Sequence, residues 1–154
     1  MHVLIATDAQ WVADDVVAAL GDSQTSFTVC RNGRDVTGVV KARTPDLAIL
    51  DLQSGSMGGM AVAMNLRLDE SSGAVPYVPV LMLLDREADV FLARRSGADG
   101  WLIKPLDPLK IQRAVAAVLN PAVEISEAEP DAESDQIPDE SAEESAEEES
   151  AAAG

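Results

Sequence analysis

Three short stretches of this chain are apolar at every position: residues 3–6 (VLIA), 47–50 (LAIL) and 80–84 (VLMLL). A strand with one wet face alternates apolar and polar residues, because its side chains point to opposite sides in turn. A stretch that is apolar throughout, and too short for a helix, is a strand covered on both faces. Strands of that kind belong to parallel sheets with helices on either side.

The segments between these strands have helical period. Residues 8–20 place Val12, Val16, Ala19 and Leu20 on one face, with Gly21 as a stop signal. Residues 27–30 predict a weaker strand near a sheet edge. Residues 33–43 predict a helix with Val36, Val39 and Val40 inward, ended by Pro45. Residues 60–69 carry Ala61, Met64 and Leu68 at helical spacing. A helix over 88–96 closes at Gly97, and residues 101–103 predict a short last strand. Pro108 opens a final helix over 108–119, with Ile111, Val115, Val118 and Leu119 inward. Strand and helix alternate five times. At this length the expected fold is α/β and flavodoxin-like, a doubly wound (βα)5 sheet with strand order 2-1-3-4-5. An eight-stranded α/β barrel needs far more chain.

Charge divides the chain. The formal net charge is −16, yet residues 122–154 hold 13 acids and no Lys or Arg, leaving 14 acids against 11 bases in residues 1–121. The expected organisation is a domain over 1–121 and an acidic tail over 122–154. That tail has too few large apolar residues to offset its ordering entropy, so it is expected to be disordered. An acidic tail repels phosphate backbones and anionic lipid, which argues against nucleic-acid or membrane partners. The N-terminus lacks the pattern of a signal peptide, and no apolar run approaches a membrane span. Cys30 is the only cysteine, so there is no internal disulfide, and a cytoplasmic location is expected.

In an open parallel sheet, ligands bind beyond the carboxyl ends of the strands, where the strand order reverses. The residues expected there are Thr7 and Asp8 after the first strand, Asp51 ending the third, Leu84 and Asp85 at the fourth, and Lys104 after the fifth. Two facing carboxylates repel unless a cation lies between them. Few oxygen ligands completed by water suit Mg2+. A carboxylate beside Mg2+ and a lysine is a nucleophile suited to phosphoryl transfer. A purely structural Asp51–Lys104 salt bridge is the less favoured alternative for these residues.

The segment PDLAILDLQSGSMGGM resembles the phosphoacceptor strand and loop of bacterial response regulator receiver domains. The segment SGADGWLIKPLDPLKIQRAV resembles their last strand, Lys-Pro pair and final helix. The likeness spans residues 2–120. It implies that Asp51 is the phosphoacceptor and that Asp8, Asp51 and the Gln53 backbone carbonyl hold Mg2+. It further implies that Lys104 binds the phosphoryl group, with the Lys104–Pro105 bond cis. Trp101 takes the aromatic position that moves with signalling, and Leu84 takes the position of the switch hydroxyl.

The chain departs from that pattern in four places. Thr7 replaces the first of two acids after the first strand, weakening the metal site. A lost hydrogen bond to a charged group is worth roughly 1.5–3 kcal/mol. Leu84 replaces a Ser or Thr and has no donor to offer a phosphoryl oxygen. Asp85 stands where a small residue is usual and brings a negative charge toward the site. Gly55 replaces a common proline, which loosens the loop. These departures predict an atypical single-domain response regulator in phosphorelay signalling, acting through protein contacts and phosphorylatable at Asp51. The alternative is a conventional stand-alone receiver, phosphorylated by a histidine kinase. A histidine kinase or phosphotransfer protein is the expected donor. The expected docking face is the fourth helix, last strand and fifth helix, with Phe91, Arg94, Arg95 and Trp101. An enzyme is not expected: a haloacid-dehalogenase-type phosphatase wants a second Asp two residues after the first, and Gln53 is there.

Overall fold

The computed structural model describes residues 1–121, of which Met1–Asn120 form one unit. The expected acidic tail at 122–154 lies outside the described residues. The strands are β1 (His2–Ala6), β2 (Ser26–Cys30), β3 (Leu47–Asp51), β4 (Val80–Leu84) and β5 (Gly100–Ile103). The helices are α1 (Gln10–Leu20), α2 (Val36–Ala42), α3 (Gly59–Ser71), α4 (Val90–Arg95) and α5 (Pro108–Leu119). Single 3-10 turns, Gly33–Asp35 and Glu87–Asp89, lead into α2 and α4. All five strands are parallel, in the order β2-β1-β3-β4-β5, as the sequence predicts. No helix among the described residues is long and apolar enough to cross a membrane.

The apolar runs of the inner strands build two cores. Alternate side chains point to opposite faces of the sheet. Leu4, Ala48, Leu50, Val80, Met82 and Leu84 meet Val36 and Val40 of α2, Val62 and Leu66 of α3 and Ala93 of α4. Val3, Ile5, Leu47, Ile49, Leu81 and Leu83 meet Val12 and Val16 of α1 and Ile111, Val115 and Val118 of α5. Each fully buried Leu or Ile contributes roughly 1.5–3 kcal/mol relative to exposure. Asp107 caps α5, its Oδ1 accepting from the backbone N–H groups of Leu109 at 2.8 Å and Lys110 at 3.2 Å, with Pro108 at the first turn.

One helix face differs from the expectation. In α3 the buried residues are Gly59, Val62, Ala63 and Leu66, whereas Ala61, Met64 and Leu68 face outward. The helix carries two apolar stripes, and spacing alone does not choose between them. The close approach at its first turn does. A Cβ on Gly59 would lie 2.7 Å from the Asp51 carbonyl oxygen and 2.9 Å from Met82 Sδ, so residue 59 itself faces β3 and β4. Val62, Ala63 and Leu66 then follow it on the same side. Leu119, expected inward, ends α5 partly exposed.

Candidate functional site at the carboxyl edge of the sheet

Parallel pairing delivers the site residues to one edge. The ladder continues just past the strands: Thr7 N–H donates to the Cys30 carbonyl, Leu52 N–H to Leu83 and Lys104 N–H to Leu84. The residues that follow β1, β3, β4 and β5 therefore emerge together, with β1 and β3 adjacent at the sheet centre.

Asp51, the last residue of β3, is buried at 3% exposure. Its charge is met on both oxygens. Lys104 Nζ lies 2.9 Å from Asp51 Oδ1, and Gln53 N–H donates to the same oxygen at 3.3 Å. The buried Thr7 hydroxyl donates to Asp51 Oδ2 at 2.8 Å. Thr7 Oγ1 in turn accepts from Ala9 N–H at 3.1 Å, which fixes the turn into α1. Asp8 is exposed, and its Oδ2 accepts from Gly55 N–H at 2.8 Å, tying the loop after β1 to the loop after β3. A proline at position 55 would have no N–H to give. Ser56 Oγ, 2.6 Å from Asn32 Oδ1, holds the β3–α3 loop to the β2–α2 turn.

Lys104 also pairs with Asp85, at 2.9 Å, and its ammonium lies 5.6 Å from the centroid of the Trp11 ring. Burial alone would pull this lysine down. The hydrogen bonds and charges of Asp51 and Asp85 outweigh burial and hold it above the ordinary lysine value. The Lys104–Pro105 peptide bond is cis. Leu84 is 0% exposed and packs into the core, so β4 ends without a hydroxyl in the pocket. Trp101 is half-buried on β5, under the Arg94 guanidinium at 5.1 Å from its centroid. Phe91, Arg94 and Arg95 are exposed on α4.

Among the described residues, no three His, Cys, Asp or Glu side chains cluster closely enough to hold a cation by themselves. The donors on offer are the Asp8 and Asp51 carboxylates and the Gln53 carbonyl, all hard oxygens. Gly55 already sits on one oxygen of Asp8. This set fits Mg2+ completed largely by water, with fewer protein charges than a closed site. Sequence reasoning placed Asp8, Asp51, Lys104 and Gln53 at this edge. It did not find the Thr7–Asp51 hydrogen bond or Trp11 over Lys104. Both partners are far from their targets in sequence, and neither residue type signals such a contact on its own.

The fold and the site define a doubly wound α/β domain with an acid–lysine pocket at its switch point. The profile of the response regulator receiver domain family matches residues 3–116, and the chain belongs to this family. The protein PilH of Pseudomonas aeruginosa is 25% identical over 118 residues, covering 77% of this chain and 97% of that protein. The DNA-binding response regulator MtrA of Mycobacterium leprae is 30% identical over 137 residues, covering 84% of this chain and 58% of MtrA. The chain thus spans little more than half of that relative. Among solved structures, the chemotaxis response regulator CheY4 of Vibrio cholerae superposes with a TM-score of 0.68 at 23% identity, covering 77% of this chain and 98% of CheY4.

Proposed function

We propose that this chain is an atypical receiver of a cytoplasmic phosphorelay, which accepts a phosphoryl group at Asp51 and signals through protein contacts. The observation that carries the reading is the buried Asp51 carboxylate at the sheet edge with Lys104 Nζ 2.9 Å away. A histidine kinase or a phosphotransfer protein is the donor. An Asp51 carboxylate oxygen forms the new P–O bond as the donor's P–N bond breaks. The nitrogen of the donor phosphohistidine leaves with the electron pair. Lys104 meets the charge on the oxygens of the transferring group. Asp8, Asp51 and the Gln53 carbonyl hold Mg2+, which when bound neutralises charge on the phosphoryl group.

The atypical part follows from Thr7 and Leu84. Thr7 supplies a hydrogen bond to Asp51 where an acid would supply charge to the cation. Leu84 lies in the core and offers the phosphoryl group nothing. A ligand shifts an equilibrium only through contacts that differ between two states. With that contact missing, phosphorylation and rearrangement of β5 are weakly coupled. The α4–β5–α5 face, with Phe91, Arg94, Arg95 and Trp101, binds its protein target with little dependence on phosphate.

The test is treatment with acetyl phosphate and Mg2+, followed by intact mass and by backbone amide NMR. The expected result is slow gain of one phosphoryl group, absent in Asp51→Ala, with shifts confined to the pocket. No gain of mass would refute Asp51 as acceptor. Shifts spreading along β5 to Trp101 and α4 would favour a conventionally coupled receiver instead.

A further inference from the structure

Asp85 follows β4 directly and reaches into the pocket. Lys104 Nζ lies 2.9 Å from Asp85 Oδ1 and 2.9 Å from Asp51 Oδ1, with the Trp11 ring centroid at 5.6 Å. An ammonium has three donors and no acceptor. Two are engaged by carboxylates, and an indole lies within cation–π distance of the same group. The Lys104 side chain is 13% exposed and that of Asp85 is 39% exposed. The lysine is therefore fixed in the pocket, and Asp85 sits at its mouth.

The pocket keeps three carboxylates against one ammonium, but their placement is unusual. Thr7 removes an acid from the side where it would strengthen the hold on a cation. Asp85 adds one on the side of the lysine that an incoming phosphoryl group needs. We propose that Asp85 is a positioning residue that competes with the phosphoryl group for Lys104, and so sets how readily Asp51 is phosphorylated. This inference rests on the acceptor role of Asp51 given above. In transfer from acetyl phosphate, an Asp51 oxygen forms a P–O bond as the bond between phosphorus and the acetate oxygen breaks. Acetate leaves with the electron pair, and no proton is consumed. Charge spread over the transferring group calls on Lys104 at that moment. With Asp85 on the ammonium, part of its donor capacity is already engaged.

The test uses the full chain, its Asp85→Asn and Asp85→Ala variants, Lys104→Met, and the Lys104→Met/Asp85→Asn double variant. Phosphorylation by acetyl phosphate with Mg2+ is followed by intact mass across acetyl phosphate concentrations. Asp85 is exposed enough for its variants to fold, and a thermal melt of each checks this. Both single variants at Asp85 are expected to react about tenfold faster, a change of about 1.4 kcal/mol. The gain is expected mainly as a lower half-saturating concentration of acetyl phosphate. In the Lys104→Met background the same Asn substitution is expected to change the rate less than about twofold, because its partner is gone. Equal rates for the native chain and Asp85→Asn would overturn the proposal and leave the acceptor role intact. An undiminished gain in the Lys104→Met background would also overturn it, making Asp85 a simple repulsive charge. Phosphorylation of neither the native chain nor Asp85→Asn would overturn both readings together.

Discussion

Replacing Thr7 with Val isolates a side-chain contact of Asp51 that sequence reasoning missed. Valine keeps the β-branched shape and loses the hydroxyl. Thr7 is 1% exposed and Asp51 3% exposed, so neither group can turn to water without opening the sheet edge. The lost bond, 2.8 Å from Thr7 Oγ1 to Asp51 Oδ2, is a hydrogen bond to a buried charge. Such bonds contribute roughly 1.5–3 kcal/mol, and the orphaned oxygen sets the upper part of that range. Ala9 N–H also loses its acceptor, but it lies near the surface at the start of α1, where water can replace it. A domain of this size shifts its melting temperature by roughly 3–6 °C per kcal/mol. The expected loss is therefore about 5–18 °C. Urea denaturation is the assay, with an unchanged m value showing that the unfolded state is unaffected. The cost should fall below about 0.5 kcal/mol in an Asp51→Ala background, since the two groups act as a pair. A Thr7→Val chain within about 0.5 kcal/mol of the native one, at equal m, would refute the assignment of this bond as a main support of Asp51.

Further outcomes follow from the same structure. Thr7→Asp should be less stable than Thr7→Val without metal and should recover more stability as Mg2+ is added, because ligand binding adds stability as RT ln(1 + [L]/Kd); equal Mg2+ responses of the two variants in thermal melts would count against the metal site. Arg67 donates to the Gly97 and Val78 carbonyls, each at 2.9 Å, pairs with Asp99 at 2.7 Å and stacks on Tyr77, so Arg67→Ala should cost about 2–4 kcal/mol by urea denaturation, and Arg67→Lys should recover little of it. Burial, then the hydrogen bond and charge of Asp99, push Tyr77 up to about 12. Folding thus favours its neutral form, a contribution present below the unfolded value of about 10 and lost as pH rises toward the folded one. Tyr77 is the only tyrosine, so phenolate absorbance reads this directly, and a midpoint near that of free tyrosine would contradict the Asp99 contact. Lys104 lies above its ordinary value, so its contribution is complete below about pH 10 and fades as pH rises through its folded value; Lys104→Met should flatten that part of the stability profile.

What could be read from sequence was local or periodic. Residues 3–6, 47–50 and 80–84, which make up most of β1, β3 and β4, are apolar at every position, and that alone required a covered parallel sheet. Asp51 announced itself by ending such a run, and Lys104 by preceding a proline after a glycine-rich turn. The outward face of α3 was misjudged because Met64 and Leu68 look like core residues; Gly59, pressed against β3 and β4, sets the rotation. The partners of Lys104 show the same limit. Asp85 was legible as a charge near the site, but its alignment onto one ammonium beside Asp51 depends on how β3, β4 and β5 lie side by side.

Both tryptophans of the chain sit against cations, Trp11 against Lys104 at the pocket and Trp101 against Arg94 on β5. Indole emission responds to nearby charge, so each ring is a native optical probe of one station. Trp11→Phe and Trp101→Phe chains would report separately on the two. The molecule thus carries its own two-channel recorder of whether an event beside Asp51 travels down the edge strand or stops where it began.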